Sequence, residues 1–211
     1  MAWLESAKAS LLPLSREKVD FRLALQEWCY TGNAYDLEEA IETCQLCGHA
    51  DIRYQFEVCN RYTYSELLVG SECILKFGIR ALVDGDEILT QAGTRRLLQK
   101  DRRKLIVDAQ AKRVINALLL LGNAAANFDF ENFITYFQER RAFTPSQLSL
   151  LLWRLDANSI PYDKHDFPMI IRRDREKVQL RNMPQWKVKK MWECMSASQR
   201  QWYVRDVGNR V

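Results

Sequence analysis

The 211-residue sequence lacks the patterns that mark most enzymes and membrane proteins. It has only two histidines and contains no His-x-Glu or His-Glu-x-x-His motif, no phosphate- or dinucleotide-binding glycine loop and no Gly-x-Ser-x-Gly elbow. Its longest apolar run, Ala117 to Leu121, is too short to cross a bilayer, and the first residues lack the basic-then-apolar order of a signal peptide. We therefore expect a cytoplasmic protein that is not an enzyme, takes no small-molecule substrate and binds no membrane.

Positive charge is concentrated near the end of the chain. Residues 164–211 contain twelve Lys and Arg against five Asp and Glu, whereas residues 1–163 contain nineteen against twenty-two. A localised positive charge indicates an anionic partner, because a net charge needed only for solubility would not have to be localised. Nucleic acid is the leading candidate for that partner.

Four of the six cysteines fall within residues 43–77. Cys44 and Cys47 form a Cys-x-x-Cys followed directly by Gly48, which is the spacing of a zinc knuckle, a tight turn that directs two thiolates at one ion. With no secretory signal, six cysteines indicate a reducing compartment, where metal binding is more common than disulfide formation. The sequence therefore predicts a structural Zn²⁺ site.

The residues after the knuckle complete a small module. An alternating apolar pattern from Ile52 to Val58 predicts a strand, residues 66–69 predict the returning strand, and Cys73 begins an apolar segment that we expect to be a short helix. Knuckle, hairpin and helix in this order are typical of a treble-clef-like zinc-binding module.

The fourth ligand is less clear from the residues. Three cysteines fit the module, but Gly70 stands where a regular treble clef supplies a second cysteine, so the fourth ligand is Cys59 or His49. We favour Cys59, because closure by four thiolates is common in structural zinc sites. The alternative is a set of reduced cysteines without metal. The predicted ligands are Cys44, Cys47, Cys59 and Cys73, with His49 as the alternative fourth.

The fold class predicted for the chain is mainly α, with the β-hairpin zinc-binding module inserted near the N-terminal third. A helix is expected from Ser15 past Trp28 with Val19 and Leu23 on its buried face, and a short acidic helix over residues 36–43. Further along, Asp84-Gly85-Asp86 predicts a turn.

Helix starts are predicted in the second half at Thr144, which is followed by proline, and at Ser196, which forms a capping box with Gln199. The aromatic residues between positions 128 and 137 are expected to pack in a helical core. The predicted organisation is N-terminal helices at 1–43, the zinc-binding module at 44–80, a helical body at 81–163 and a basic C-terminal helical region at 164–211.

Two basic segments are candidate nucleic-acid surfaces. One is the first part of a helix predicted over residues 95–121, and the other is the tail, where cations alternate with Trp186 and Trp192. Cations neutralise phosphates and aromatic rings stack on bases. The alternatives are a solvated helix face and a tryptophan core. The candidate residues are Arg95, Arg96, Lys100, Arg102, Arg103, Lys104, Arg172, Arg173, Arg175, Lys177, Arg181, Lys187, Lys189 and Lys190.

The string CQLCGHADIRYQFEV, continued by LLVGSECILKFG and joined to the basic stretch ending in MSASQRQWY, resembles the zinc-containing, reduced large (Cas-eight-like) subunit of type IV CRISPR effector complexes. The resemblance implies a subunit at the crRNA 5′ handle that contacts other subunits, senses the protospacer-adjacent motif in duplex DNA and assists strand separation. The alternatives are a stand-alone plasmid or phage DNA-binding regulator and an adaptor whose basic tail docks on an acidic protein.

Overall fold

A computed structural model describes residues 2–83, 87–125 and 128–208. The chain divides into two compact units, Met1–Ala109 and Gln110–Val211. The boundaries at 43/44, 80/81 and 163/164 stay predictions. The turn predicted at Asp84-Gly85-Asp86 lies outside the described residues.

The first unit is built on a five-stranded sheet with the order β3-β2-β1-β4-β5. Strand β1 is central, antiparallel to β2 and parallel to β4. The helices and strands of this unit are α1 (Ala2–Leu11), α2 (Phe21–Leu25), β1 (Trp28–Asp36), β2 (Tyr54–Asn60), β3 (Glu66–Val69), α3 (Ser71–Lys76), β4 (Arg80–Val83), β5 (Glu87–Ile88) and the first part of α4 (Gln91–Ala124).

The hairpin and the helix after it confirm two predictions. Strands β2 and β3 pair in antiparallel register, with Phe56 opposite Val69. Phe56 and Val58 are fully buried on the core side of the sheet, as the alternating pattern predicted. Helix α3 then contains Cys73.

The helices predicted for residues 15–43 are largely wrong. Trp28 to Asp36 form strand β1, and Val19 and Leu23, expected on a buried helix face, are 87% and 51% exposed. The run of aromatic and β-branched residues that begins at Trp28 favours a strand. No helix forms over residues 36–43, where Glu38 has a φ of +67°, a conformation that a right-handed helix excludes.

A buried carboxylate ties the start of the chain to the hairpin turn. Glu27 is 7% exposed, and its carboxylate accepts hydrogen bonds from the backbone N–H of Arg16 at 2.7 Å, the backbone N–H of Glu17 at 2.9 Å and Nδ2 of Asn60 at 2.8 Å. Burial by itself raises the pKa of Glu27, but these three donors outweigh burial, and the net pKa is lowered.

Replacing Glu27 with Gln should therefore destabilise the protein at neutral pH by about 3 kcal/mol, because hydrogen bonds to a charged acceptor are lost from a buried position. The folded-state pKa lies below the ordinary value of 4.5, so the carboxylate stabilises the fold above that value and the benefit is lost as the pH falls through the folded pKa. Urea denaturation of both proteins should show the difference shrinking at acidic pH. A difference that does not change with pH would contradict this role.

The second unit is helical. Besides the end of α4, it contains α5 (Phe130–Arg140), α6 (Pro145–Ala157), α7 (Asp174–Arg181), α8 (Gln185–Lys190) and α9 (Ala197–Val207), with 3₁₀ turns at Lys164–Asp166 and Trp192–Cys194.

Capping and aromatic packing in this unit agree with the sequence. Thr144 caps α6 as predicted and also forms a capping box with Gln147, and Ser196 forms the predicted capping box at the start of α9. Phe137 and Phe143 are buried with ring centroids 5.1 Å apart, so the aromatic segment contributes to the core as predicted. Among the described residues, no helix combines the length and hydrophobicity that crossing a membrane requires.

Candidate functional site

Three of the predicted ligands lie together in the first unit. The Sγ of Cys73 lies 3.1 Å from the Sγ of Cys47 and 3.6 Å from the Sγ of Cys44, and the three sulfur atoms all lie within 4.8 Å of one another. Thiolates bound at about 2.3 Å to a tetrahedral ion lie about 3.8 Å apart. The three cysteines could therefore hold a metal ion after shifts of less than about 1 Å.

Local backbone structure explains why these thiols converge. The N–H of Gly48 donates to the carbonyl of Cys44 at 2.9 Å, and the N–H of Cys44 donates to the carbonyl of His49 at 2.8 Å, which closes the knuckle. Gly48 has a φ of +74°, a conformation that glycine adopts without a steric cost. Leu46, between the two cysteines, is fully buried and anchors the turn in the core.

The pKa values of two thiols in the cluster are shifted in opposite directions. The pKa of Cys44 is lowered despite its burial, because the thiolate accepts hydrogen bonds from the Cys73 thiol and from the backbone N–H groups of Gly70, Cys47 and Leu46. The pKa of Cys73 is raised, because its proton is shared with Cys44 and Cys47 and because it is buried. Thiolate is the form that binds metal.

The pKa values of the three cysteines outside the cluster are raised, as that of Cys73 is. Burial is the main cause that raises the pKa of Cys29, Cys59 and Cys194. The lowered pKa of Cys44 favours its thiolate, but that of Cys73 is raised, so the proximity of the three sulfur atoms is what singles out the cluster.

Cys59, predicted as the fourth ligand, is not brought to the cluster. It lies opposite Cys29 in the β1–β2 register, and it alternates with Phe56 and Val58, so it projects from the other face of the sheet. Cys59 is also distant along the strand. Phe56 pairs with Val69, and the next residue, Gly70, donates its N–H to the Sγ of Cys44. Cys59 lies three residues, or about 10 Å, along β2 from Phe56. The choice of Cys59 does not fit this arrangement.

His49 lies closer to the cluster without belonging to it. Its side chain is exposed and lines the same cavity as the three thiols, which has a volume of about 720 Å³. Lys76 and Arg102 also line this cavity. In the part of the chain that the structure describes, no fourth His, Cys, Asp or Glu joins the three cysteines.

All six cations predicted on α4 are exposed. Leu98 is buried, on the side of the helix opposite Arg96, Lys100 and Arg103. Arg96, Lys100 and Arg103 follow one another at intervals of four and three residues, which places them on one face. Arg95 and Arg102 form a second row seven residues apart, and the guanidinium of Arg102 lies 5.5 Å from the Tyr54 ring centroid.

The basic residues of the tail are more heterogeneous. Arg181 pairs with Asp206, Lys190 with Asp156 and Lys177 with Asp174. Three arginines, Arg172, Arg173 and Arg175, are exposed and line a cavity of about 350 Å³.

Two further residues were missed by the sequence-based prediction. Arg140, at the end of α5, lines the same cavity as the three arginines; its distance along the chain from the basic tail concealed it. Trp153 is 53% exposed on α6, a helix for which the sequence predicted only the start at Thr144. Trp186 is 62% exposed, whereas Trp192 packs against the core, so the aromatic residues of the tail divide between core and surface.

Comparisons with family models, with curated proteins and with solved structures return no significant match to this chain. Its function therefore has to be argued from its own residues and their arrangement.

Proposed function

We propose that this protein is a non-catalytic, zinc-stabilised nucleic-acid-binding protein whose phosphate-binding surface is the exposed face of the first half of α4. The observation that carries the proposal is the state of the six cations between Arg95 and Lys104. All are exposed, and across the described ranges none of them forms an ion pair with a carboxylate.

The geometry of this face suits a phosphate backbone. Ten helical residues span about 15 Å, over which duplex DNA carries roughly nine negative charges on its two strands. Cations without a carboxylate partner gain free energy when they displace counterions condensed on that backbone. Between Arg95 and Lys104 the six cations face one carboxylate, Asp101. Asp101 projects toward the Tyr30 hydroxyl, which donates to it at 2.7 Å, and Asp108 lies four residues beyond Lys104.

Zinc is the metal that the three thiolates favour in this proposal. Soft thiolate ligands select zinc, copper(I) or iron–sulfur clusters over hard cations, and a knuckle paired with a helical cysteine is typical of structural zinc. His49 is the residue that we propose as the fourth ligand, because it lines the cavity beside the thiols. Bound zinc would join the knuckle to α3 and so fix the edge of the sheet.

The finer proposal is that the protein is a subunit of a type IV CRISPR ribonucleoprotein that contacts the crRNA 5′ handle and senses the protospacer-adjacent motif in duplex DNA. It rests on the resemblance of residues 44–78 and of the basic tail. In such complexes guide pairing reads the long target, while the protein reads the short adjacent motif and the backbone. A surface of unpaired arginines and lysines is compatible with that division of roles.

Equilibrium binding to a labelled DNA duplex at several salt concentrations tests the proposal. If about six cations contact phosphates, the association constant should fall by about a thousandfold between 50 and 200 mM salt. No binding at low salt would exclude nucleic-acid binding and leave the protein-adaptor alternative. Affinity purification from the native host should also recover a small RNA and partner proteins; duplex binding without either would support a stand-alone regulator instead.

A further inference from the structure

The second unit contains a cleft with two exposed tryptophans. It lies between α6 and the segment that contains α7 and α8, and its volume is about 490 Å³, within the range of ligand-binding clefts. Trp153 of α6 is 53% exposed and Trp186 of α8 is 62% exposed. Tryptophan is usually buried for most of its surface, so two exposed indoles that line one cleft indicate a binding surface.

The polar groups that line this cleft are neutral or positively charged. It is lined by hydroxyls, by the amides of Gln179 and Asn182, and by Lys187 and Lys190. No Asp or Glu occurs among the described residues that line it. Aromatic faces, amides and lysines without carboxylates are complementary to unstacked bases on an anionic backbone, because rings stack on bases, amides bond to base edges and cations contact phosphates.

The charge at the α8 side of the cleft is available to a ligand. From Lys177 to Trp192 the sequence contains five cations and no acidic residue. Lys190 is paired with Asp156, whereas Lys187 and Lys189 form no ion pair within the described ranges. The Nζ of Lys187 lies 5.4 Å from the Trp186 ring centroid, so a base on that indole would have a cation nearby for its phosphate.

One amide that lines the cleft has an unused hydrogen-bonding atom. The side-chain oxygen of Gln179 is buried and has no hydrogen-bond partner among the residues that the structure describes. A buried acceptor without a donor costs about 1–3 kcal/mol. If this amide rotated slightly toward a base N–H, the new hydrogen bond would recover that cost. A ligand with only aliphatic groups has no donor and would leave the oxygen unsatisfied.

We infer that this cleft binds single-stranded nucleic acid by stacking one or two bases on Trp153 and Trp186. This inference deepens the proposed nucleic-acid function and rests on it. It adds a second site, which binds single strands and not duplex. The faces of bases inside a duplex are stacked on their neighbours and are therefore inaccessible to indole rings. The α4 face would contact duplex backbone, and the cleft would hold unpaired bases.

Fluorescence anisotropy with the full-length protein tests the inference, with a labelled oligothymidylate and a labelled mixed-sequence duplex as the two probes. Trp186→Ala should weaken oligothymidylate binding roughly tenfold, and Trp153→Ala/Trp186→Ala roughly a hundredfold, while duplex binding changes less than about twofold. Trp186→Phe should restore most of the affinity, because phenylalanine keeps a stacking face. Tyr64→Ala removes a 79% exposed aromatic ring from the first unit and should change neither affinity.

Three results would overturn the inference. If the double variant folds, as judged by its thermal melting, and binds oligothymidylate like the wild type while duplex binding persists, the cleft is not the site and the proposed function stands. If the double variant changes the oligomeric state and leaves oligothymidylate affinity unaltered, the cleft is a contact between copies. If the wild-type protein binds neither probe at low salt, the proposed function fails together with the inference.

Discussion

Replacing Cys73 with serine is expected to abolish zinc binding and to unfold the first unit. Cys73 lies within bonding reach of a metal shared with both knuckle thiols, and a hydroxyl is a much weaker ligand for zinc than a thiolate. Structural zinc contributes an apparent 10–16 kcal/mol, roughly, in zinc-finger peptides, which is comparable to the whole stability of a domain, about 5–15 kcal/mol. Metal analysis should give near zero ions per chain for the variant and about one for the wild type.

Cys59→Ser is the matched control. Cys59 is a second cysteine of the same unit, and its thiol lies 3.5 Å from the carbonyl of Asn60, a contact that a serine hydroxyl preserves. This variant should retain its zinc and lose at most about 1 kcal/mol of stability. Loss of zinc from Cys59→Ser, with zinc retained by Cys73→Ser, would contradict the three-cysteine arrangement and favour the sequence-based assignment of Cys59.

Neutralising one face of α4 is expected to remove most duplex binding. The triple variant Arg96→Gln, Lys100→Gln and Arg103→Gln changes three cations opposite the buried Leu98 and keeps residues with good helix propensity. Each lost phosphate contact lowers the slope of log K against log salt by about 0.9. The slope should therefore become shallower by about 3, and affinity at low salt should fall at least about tenfold.

A second triple variant separates position from net charge. Arg16→Gln, Lys18→Gln and Arg22→Gln removes the same number of exposed cations from the same unit without touching α4. We expect its salt slope to change by less than about 1. Equal losses in the two triple variants would show that binding follows net charge alone and would contradict the assignment of the α4 face.

The three clustered cysteines could be predicted from the sequence because each pattern that indicates them spans only a few residues. Cys44 and Cys47 lie in one turn, and the hairpin that follows carries its own alternating pattern and ends just before Cys73. Cys59 was predicted as the fourth ligand because alternation shows that it differs in phase from Phe56 and Val58. Alternation does not show which face of the sheet the knuckle occupies. That face is set by packing against the core, which includes Cys44 and Cys73.

Strand β1 shows why the larger sheet was missed. Its partners are residues 54–60 and 80–83, and no local pattern near Trp28 indicates either pairing. The beginning of the strand is covered on both faces, with Trp28, Cys29 and Tyr30 all at most 3% exposed, so the alternation that marks a half-buried strand is absent there. The exposed cations of α4 were predictable, whereas the convergence of Trp153 and Trp186 depends on helix packing across the second unit.

The position of β1 at the centre of the sheet also sets an order of events during synthesis of the chain. Cys29 pairs with Arg80 in the parallel β1–β4 ladder. Strand β1 can therefore pair with β4 only after more than fifty further residues have left the ribosome. The cysteine knuckle, hairpin and α3 form one continuous segment that is complete earlier and contains all three clustered thiols. Short loops close faster than long ones. If the three thiols hold zinc as proposed, the ion would bind the nascent chain before its sheet is complete.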